Sequence, residues 1–285
     1  MTASISMHRP DRRRPAPADP SIPLSSPPSS LLSAWGWGAA GVTLFLLAWT
    51  WAAAVVGSFV LPTPLETLSA AWNLILSGRA GPAILDTGVR VVLGFVLALI
   101  IGGVLGVSAG MIPALRQMIG PLATMLLAVP PIAWIVLAVL WFGPGTPAVL
   151  FTVVVSLATV PYLAALNGIG TVDPDLAEMT NAFRLSRWQR FRHLHAPHLM
   201  LHLAPAAISS FGLSWRLTLL AEVVAATSGI GSGLAAARSN LDTAESFAWI
   251  GMVILLFLGI RGVLLQPLEQ RLLPWRRGNS LPGAG

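Results

Sequence analysis

Four histidines, His193, His195, His198 and His202, follow one another closely. His198 and His202 are four apart, which sets both imidazoles on one helix face at a spacing a zinc ion could bridge. No carboxylate or second histidine pair joins them, so they read as polar residues at an interface, and no metal is assigned. Glu222 and Arg216 lie inside a long apolar run. A charge at the centre of a membrane costs ~2.5–3.5 kcal/mol, so each must face protein or water. Six residues of separation put them about 120° apart around a helix, which rules out a direct pair. Arg216, with Ser209, Ser210, Ser214 and Thr218, could line a path for an anion. The bland alternative is an ion pair to another helix or subunit. Asp86 and Arg90, four apart, read as an i, i+4 pair. Pro130, Pro131 and Trp134 could form a kinked, path-lining segment or serve helix packing alone. The remaining chemistry is excluded residue by residue. No cysteine is present, so disulfides, thiolate metal sites and cysteine nucleophiles are absent. No G-x-x-x-x-G-K-[ST] phosphate loop or H-E-x-x-H pair occurs, so the chain should not hydrolyse ATP itself. Gly229-x-Gly231-x-Gly233 lacks a strand before it and reads as a turn.

The elements that must carry these residues are membrane helices. Of 285 residues, 55% are hydrophobic and 10% charged, with a mean hydropathy of +0.75. A soluble domain carries about 25% charge. Six windows reach the ~20 apolar residues a span requires, at 35–59, 86–109, 121–142, 147–168, 204–226 and 247–268. The stretch Pro64–Trp72 is amphipathic and too short to span, so it should lie at the interface. The paired prolines must break or kink the third span. Gly102, Gly106 and Gly110 recur every four residues and read as an intramolecular packing face. Residues 1–33 are rich in proline, serine and arginine and read as a disordered tail rather than a signal peptide, because the following apolar run exceeds an h-region. All 17 basic residues are arginine. With the N-terminus in the cytoplasm, 13 of the 17 fall inside and Arg79 and Arg238 outside, so both termini are expected to be cytoplasmic.

The connection 169–203 is the most informative. Asp173 before Pro174 reads as an N-cap with proline at the first helical position. Leu176, Met179 and Phe183 then make one apolar stripe. Ser186 with Gln189 fits a capping box that starts a second helix, and Trp188 and Phe191 share its face. Two short helices therefore meet near Leu185. Their exposed apolar face suits either a groove on a partner protein or the membrane surface.

This connection resembles the "EAA" loop of permease subunits of bacterial binding-protein-dependent ABC importers, more narrowly the nitrate/sulfonate/taurine type. The matching residues are Asp173-Pro174, Leu176, Glu178, Ser186-Arg187-Trp188, Phe191-Arg192 and Pro197. Further matches are Arg90 to Phe95, Val129 to Trp134, Leu140 to Gly143, Trp215 to Glu222, Ser228 to Gly231, and Leu268-Glu269 with Arg271 to Trp275. The resemblance covers about residues 60–277, and several ordered motifs make it specific. The chain departs from the pattern where E-A-A becomes Glu178-Met179-Thr180, a glycine becomes Arg184, and a later proline becomes Leu201.

The resemblance implies an all-α membrane protein of six transmembrane helices, like a type I ABC importer permease. Its domain would run over 34–277, with a C-terminal tail at 278–285. It implies residence in the bacterial inner membrane and import of a small anion. The implied partners are a homodimer mate, cytoplasmic ATPase subunits holding ATP and magnesium, a periplasmic or lipid-anchored solute-binding protein, and membrane lipid, with no nucleic acid. No cofactor would bind this chain, which would be non-catalytic. Asp173, Leu176, Glu178, Met179, Phe183, Arg184, Leu185, Ser186, Arg187, Trp188 and Pro197 would couple it to the ATPase. Pro130, Pro131, Trp134, Ser210, Ser214, Arg216, Thr218 and Glu222 are the candidates for the translocation path. Two rivals predict otherwise: an ion-driven secondary transporter, which needs intramembrane carboxylates and internal repeats, and a non-transporting docking scaffold.

Overall fold

The computed structural model describes residues 31–172, 174–183 and 185–265, all in helices and their connections. The tail up to position 30, the tail 278–285, Asp173 and Arg184 lie outside the described residues. The chain divides into two compact units, Met1–Ala48 and Trp49–Gly285. The described part of the first is the leading portion of α1 (Leu31–Val56), an apolar helix with Trp37, Val42 and Leu44 exposed. The second unit holds the end of α1 and α2 (Pro64–Leu76), α3 (Ala80–Met111), α4 (Pro113–Ala128), α5 (Pro131–Phe142), α6 (Thr146–Leu157) and α7 (Thr159–Gly170). Then come α8 (Pro174–Ala182), α9 (Arg187–Arg190), a π-helical turn at Phe191–His195, α10 (Ala196–Ala225), α11 (Ile230–Ser239), α12 (Thr243–Ile260) and a second π-helical turn at Arg261–Leu265.

Local chemistry sets most of these boundaries. Thr63 and Glu66 form a reciprocal capping box at the start of α2, with Pro64 in its first turn. Prolines also open α4, α5, α6 and α10, where a missing N–H costs nothing. Pro161 has no N–H for the carbonyl of Leu157, and the fourth apolar run divides there into α6 and α7. Gly143 at φ 72° and Gly145 at φ 143° make the turn between α5 and α6 that L side chains resist.

Five helical stretches among the described residues are long and apolar enough to cross a membrane, and α4 with α5 makes a sixth if that bent pair is one span. The break expected at the paired prolines is present: α4 and α5 meet at 99° across Val129 and Pro130. The expected fifth span begins earlier than its apolar window, because the helix runs without a break from Trp188 through the π-helical turn to Ala225. α2 has 13 residues and buries Leu74 while Leu65, Leu68 and Trp72 stay exposed.

Small residues let the helices approach closely. Ala98, Ile135, Ala138, Val149, Val153, Leu157 and Ala221 form one core among α3, α5, α6 and α10. Leu74, Ala83, Ile230, Ala237, Trp249 and Met252 form another among α2, α3, α11 and α12. The Gly102–Gly106–Gly110 face is intramolecular, as the spacing predicts: it lies on Ala158, Tyr162, Ala165 and Ile169 of the α6–α7 run. Lipid is as apolar as these side chains, so close van der Waals contact carries the association.

The two ends of the unit are distinct. At one, Gly110 lies against Ile169, and Gly168 against Leu199 and His202. At the other, Gly145 N–H donates to Ala225 O at 2.6 Å, and Arg79 meets Glu245 at 2.6 Å.

A side chain at Gly106 would meet the Tyr162 carbonyl and the Ala165 methyl, whereas Gly103 faces open space. Gly106→Val is expected to cost about 1–3 kcal/mol through helix separation, with Gly103→Ala near neutral. Thermal unfolding of both variants in one detergent checks this.

Candidate functional site

Two constellations emerge, one at each end of α10. The first is the connection 171–195. α8 presents Leu176 and Met179 outward, and the turn after it presents Phe183, which is 71% exposed. Leu185 N–H donates to Thr180 O at 3.1 Å, which closes the bend between α8 and α9. The capping box forms as the sequence predicts: Ser186 N–H donates to Gln189 Oε1 at 2.9 Å and Gln189 N–H to Ser186 Oγ at 3.3 Å. Trp188, 68% exposed, stacks on Phe191 with ring centres 6.1 Å apart. Glu178 is exposed as well. Buried Leu194 and half-buried Phe191 hold the π-helical turn to the body, while Pro197 opens α10. Large apolar side chains are thus exposed on a short polar segment, a surface that suits a protein groove or the membrane surface.

The histidines beside this segment do not converge. His202 Nδ1 lies 3.0 Å from the His198 carbonyl, and among the described residues no three His, Cys, Asp or Glu side chains could hold one metal ion.

The second constellation is an ion pair that the sequence reading did not assemble. Arg90 on α3 was expected to pair with Asp86. Instead Arg90 Nη1 donates to Glu222 Oε1 on α10 at 2.7 Å. Asp86 stays half-buried and makes no hydrogen bond or ion pair among the described residues. The reason is burial: Glu222 is 0% exposed, and a carboxylate held away from water needs the counter-charge more than one near solvent does. The rest of the cluster adds hydrogen bonds to both groups. Arg90 Nη1 also donates to Ser228 O at 2.6 Å, Nη2 to Ser228 Oγ at 2.7 Å and Nε to Thr146 Oγ1 at 3.1 Å. Glu222 Oε2 accepts from Thr87 Oγ1 at 2.8 Å and from Gly231 N–H at 3.0 Å, while Ile230 N–H donates to Thr87 Oγ1 at 2.9 Å. Glu222 therefore caps the N-terminus of α11 from a neighbouring helix, where an anion is favoured.

The glycine run takes its meaning from this cluster. Only Gly229, at φ 103°, lies in the turn; Gly231 and Gly233 belong to α11. A Cβ on Gly229 would stand 2.6 Å from Glu222 Oε1 and 2.8 Å from Arg90 Nη1, and one on Gly233 would strike the Trp249 ring. The signal available in the sequence was a pair of opposite charges in different apolar runs, each needing a partner, beside close-spaced glycines.

The candidate path residues fall on several surfaces. Ser210, Ser214 and Thr218 are buried on the α10 face that carries Glu222, and Ser214 Oγ donates to Val91 O across to α3 at 3.0 Å. Arg216 points the other way. It is exposed, has no ion pair among the described residues, and borders a recess of about 230 Å³ with Trp215, Leu219, Val253 and Phe257. Pro130 is exposed at the α4–α5 bend, Pro131 is half-buried, and half-buried Trp134 has its Nε1 sealed from solvent without a partner.

Residues 98–273 match the family model described as "Binding-protein-dependent transport system inner membrane component". A Bacillus subtilis permease named for aliphatic sulfonates transport, SsuC, is 29% identical over 79% of this chain and 80% of its own. The taurine transport system permease TauC of Escherichia coli is 27% identical over 65% and 67%. The nitrate import permease NrtB of Leptolyngbya laminosa is 23% identical over 94% and 95%. A solved structure of the methionine ABC transporter MetNI in inward-facing form aligns with a TM-score of 0.48 and 18% identity, over 75% of this chain and 95% of that one.

Arg90→Ala would strand a fully buried carboxylate, and a loss of about 3–5 kcal/mol is expected. Arg79→Ala breaks an exposed pair and should cost at most about 1 kcal/mol. Comparing the unfolding temperatures of the two purified variants tests the contrast.

Proposed function

The chain belongs to the family of binding-protein-dependent transport system inner membrane components, and on that premise we propose that it is the permease subunit of an ATP-driven importer of a small sulfonate-, taurine- or nitrate-type anion. The observation that carries the coupling is the exposed apolar surface of the connection, made by Leu176, Met179, Phe183 and Trp188. Separate ATPase subunits, which hold ATP and magnesium, dock there. Glu178, Leu185, Ser186, Arg187, Trp188 and Pro197, with Asp173 and Arg184, transmit their closure into the spans. The connection and both termini are cytoplasmic, since that arrangement leaves only Arg79 and Arg238 on the outer side. The chain works as a homodimer that receives solute from a periplasmic or lipid-anchored binding protein.

The translocation path in this reading centres on Arg216 and on the α4–α5 bend with Pro130, Pro131 and Trp134. Arg216 offers a delocalised positive charge to a passing anion, and the broken helix exposes backbone where it can line a cavity. Ser210, Ser214 and Thr218 contribute from the packed side of α10, whereas Glu222 is held in a structural pair by Arg90, Thr87 and Gly231 and is left out of the path.

Affinity purification of the tagged chain in mild detergent tests the reading. An ATPase should co-purify with the wild type and be lost from Trp188→Ala combined with Glu178→Ala; absence of any ATPase, even after crosslinking in native membranes, would return the ion-driven and scaffold readings. In proteoliposomes holding the complete transporter, Arg216→Gln is expected to lower anion uptake about tenfold, the scale of one lost charge-assisted contact. Unchanged uptake would remove Arg216 from the path.

A further inference from the structure

α10 is one helix of 30 residues, about 45 Å long at 1.5 Å per residue. Its first residues continue directly from the π-helical turn after the connection, and Glu222 stands in its last turn. One rod therefore reaches both the exposed aromatic surface and the buried ion pair. Pro205 removes a single backbone bond from it, on the side of the connection. At the far end, Arg90 and Glu222 join α3, the start of α6, α10, the turn at Ser228 and the first turn of α11.

The nature of that joint matters. Apolar side chains of similar volume would pack there at equal or lower cost, because a buried ion pair repays its desolvation only when every group is satisfied. A pair held by this many directed hydrogen bonds has one discrete geometry, whereas apolar contacts can slide. Glycines at 229 and 231 let the backbone come close enough for that geometry.

We propose that Arg90 and Glu222 are positioning residues that oblige α11 to move with α10, so that a displacement imposed at the connection reaches the opposite side of the membrane as a repositioning of α11. This rests on the connection being the ATPase dock. The last turn of α11 carries exposed Arg238 and is capped by exposed Asn240, so its movement would be felt at the surface.

The chain has no cysteine, so Arg238→Cys supplies a single thiol on α11. The complete transporter, with its ATPases, is placed in nanodiscs, and maleimide labelling of that thiol is timed without nucleotide and with ATP plus vanadate. Nucleotide should change the labelling rate about fivefold, the low end of coupling between distant sites. The change should vanish in the Arg90→Met, Glu222→Leu double variant while ATPase binding and ATP hydrolysis persist. A nucleotide-dependent change that survives in the double variant overturns the proposal, as does its absence from the otherwise wild-type transporter with ATPase bound. Should the double variant not fold, Arg90→Lys keeps the charge and loses the fork to Ser228; there the change should shrink, and full retention overturns the proposal. If no ATPase binds the wild type, the docking reading fails first and takes this inference with it.

Discussion

A carboxylate and a guanidinium taken out of water must satisfy each other and every remaining lone pair and proton around them. At Glu222 and Arg90 that requirement gathers α3, α6, α10, α11 and the turn between the last two into one hydrogen-bonded cluster. Much of the end of the second unit that carries α11 follows from it. Gly229 must take a left-handed conformation, Gly231 must lack a side chain, and Thr87 must bridge carboxylate and amide. A hydrocarbon surrounding offers no substitute partner for any of these groups.

The remainder of the bundle obeys a different constraint. Its helices gain nothing from hiding apolar surface that lipid would cover equally well, so contact must come from shape. Glycines on α3 let its backbone meet α7, and alanines and valines fill the space among α3, α5, α6 and α10. Some of the bundle's polar atoms are settled by nearby carbonyls. Ser214 donates to a carbonyl of α3, and Thr152 donates within its own helix.

The connection 171–195 inverts this economy. It leaves Phe183 bare at the end of one short helix and Trp188 bare on the next. In a chain whose body is apolar on nearly every outward face, that surface is distinguished by its setting: two short helices, a capped start at Ser186 and a tight bend at Leu185. α10 carries its position to the far side of the unit, which makes one helix the common support of both constellations.

What could be read from the sequence was whatever local chemistry specifies. Apolar run length gave the spans, Pro130 and Pro131 the break, Ser186 and Gln189 the second short helix, and the four-residue glycine spacing the packing face. Each signal lies within a few turns of chain, and the physics that acts on it is equally local. The partner of Arg90 was not of this kind. Asp86 had the right spacing on the same helix, and only the folded arrangement shows Glu222, 132 positions away, fully buried and in greater need of the charge. The same holds for Ser210, Ser214 and Thr218, whose facing depends on how α10 is rotated against α3, and for Arg216, turned away from that contact. Rotation and pairing are decided by competition among all helices for burial and for polar partners, and no single stretch of chain contains that competition.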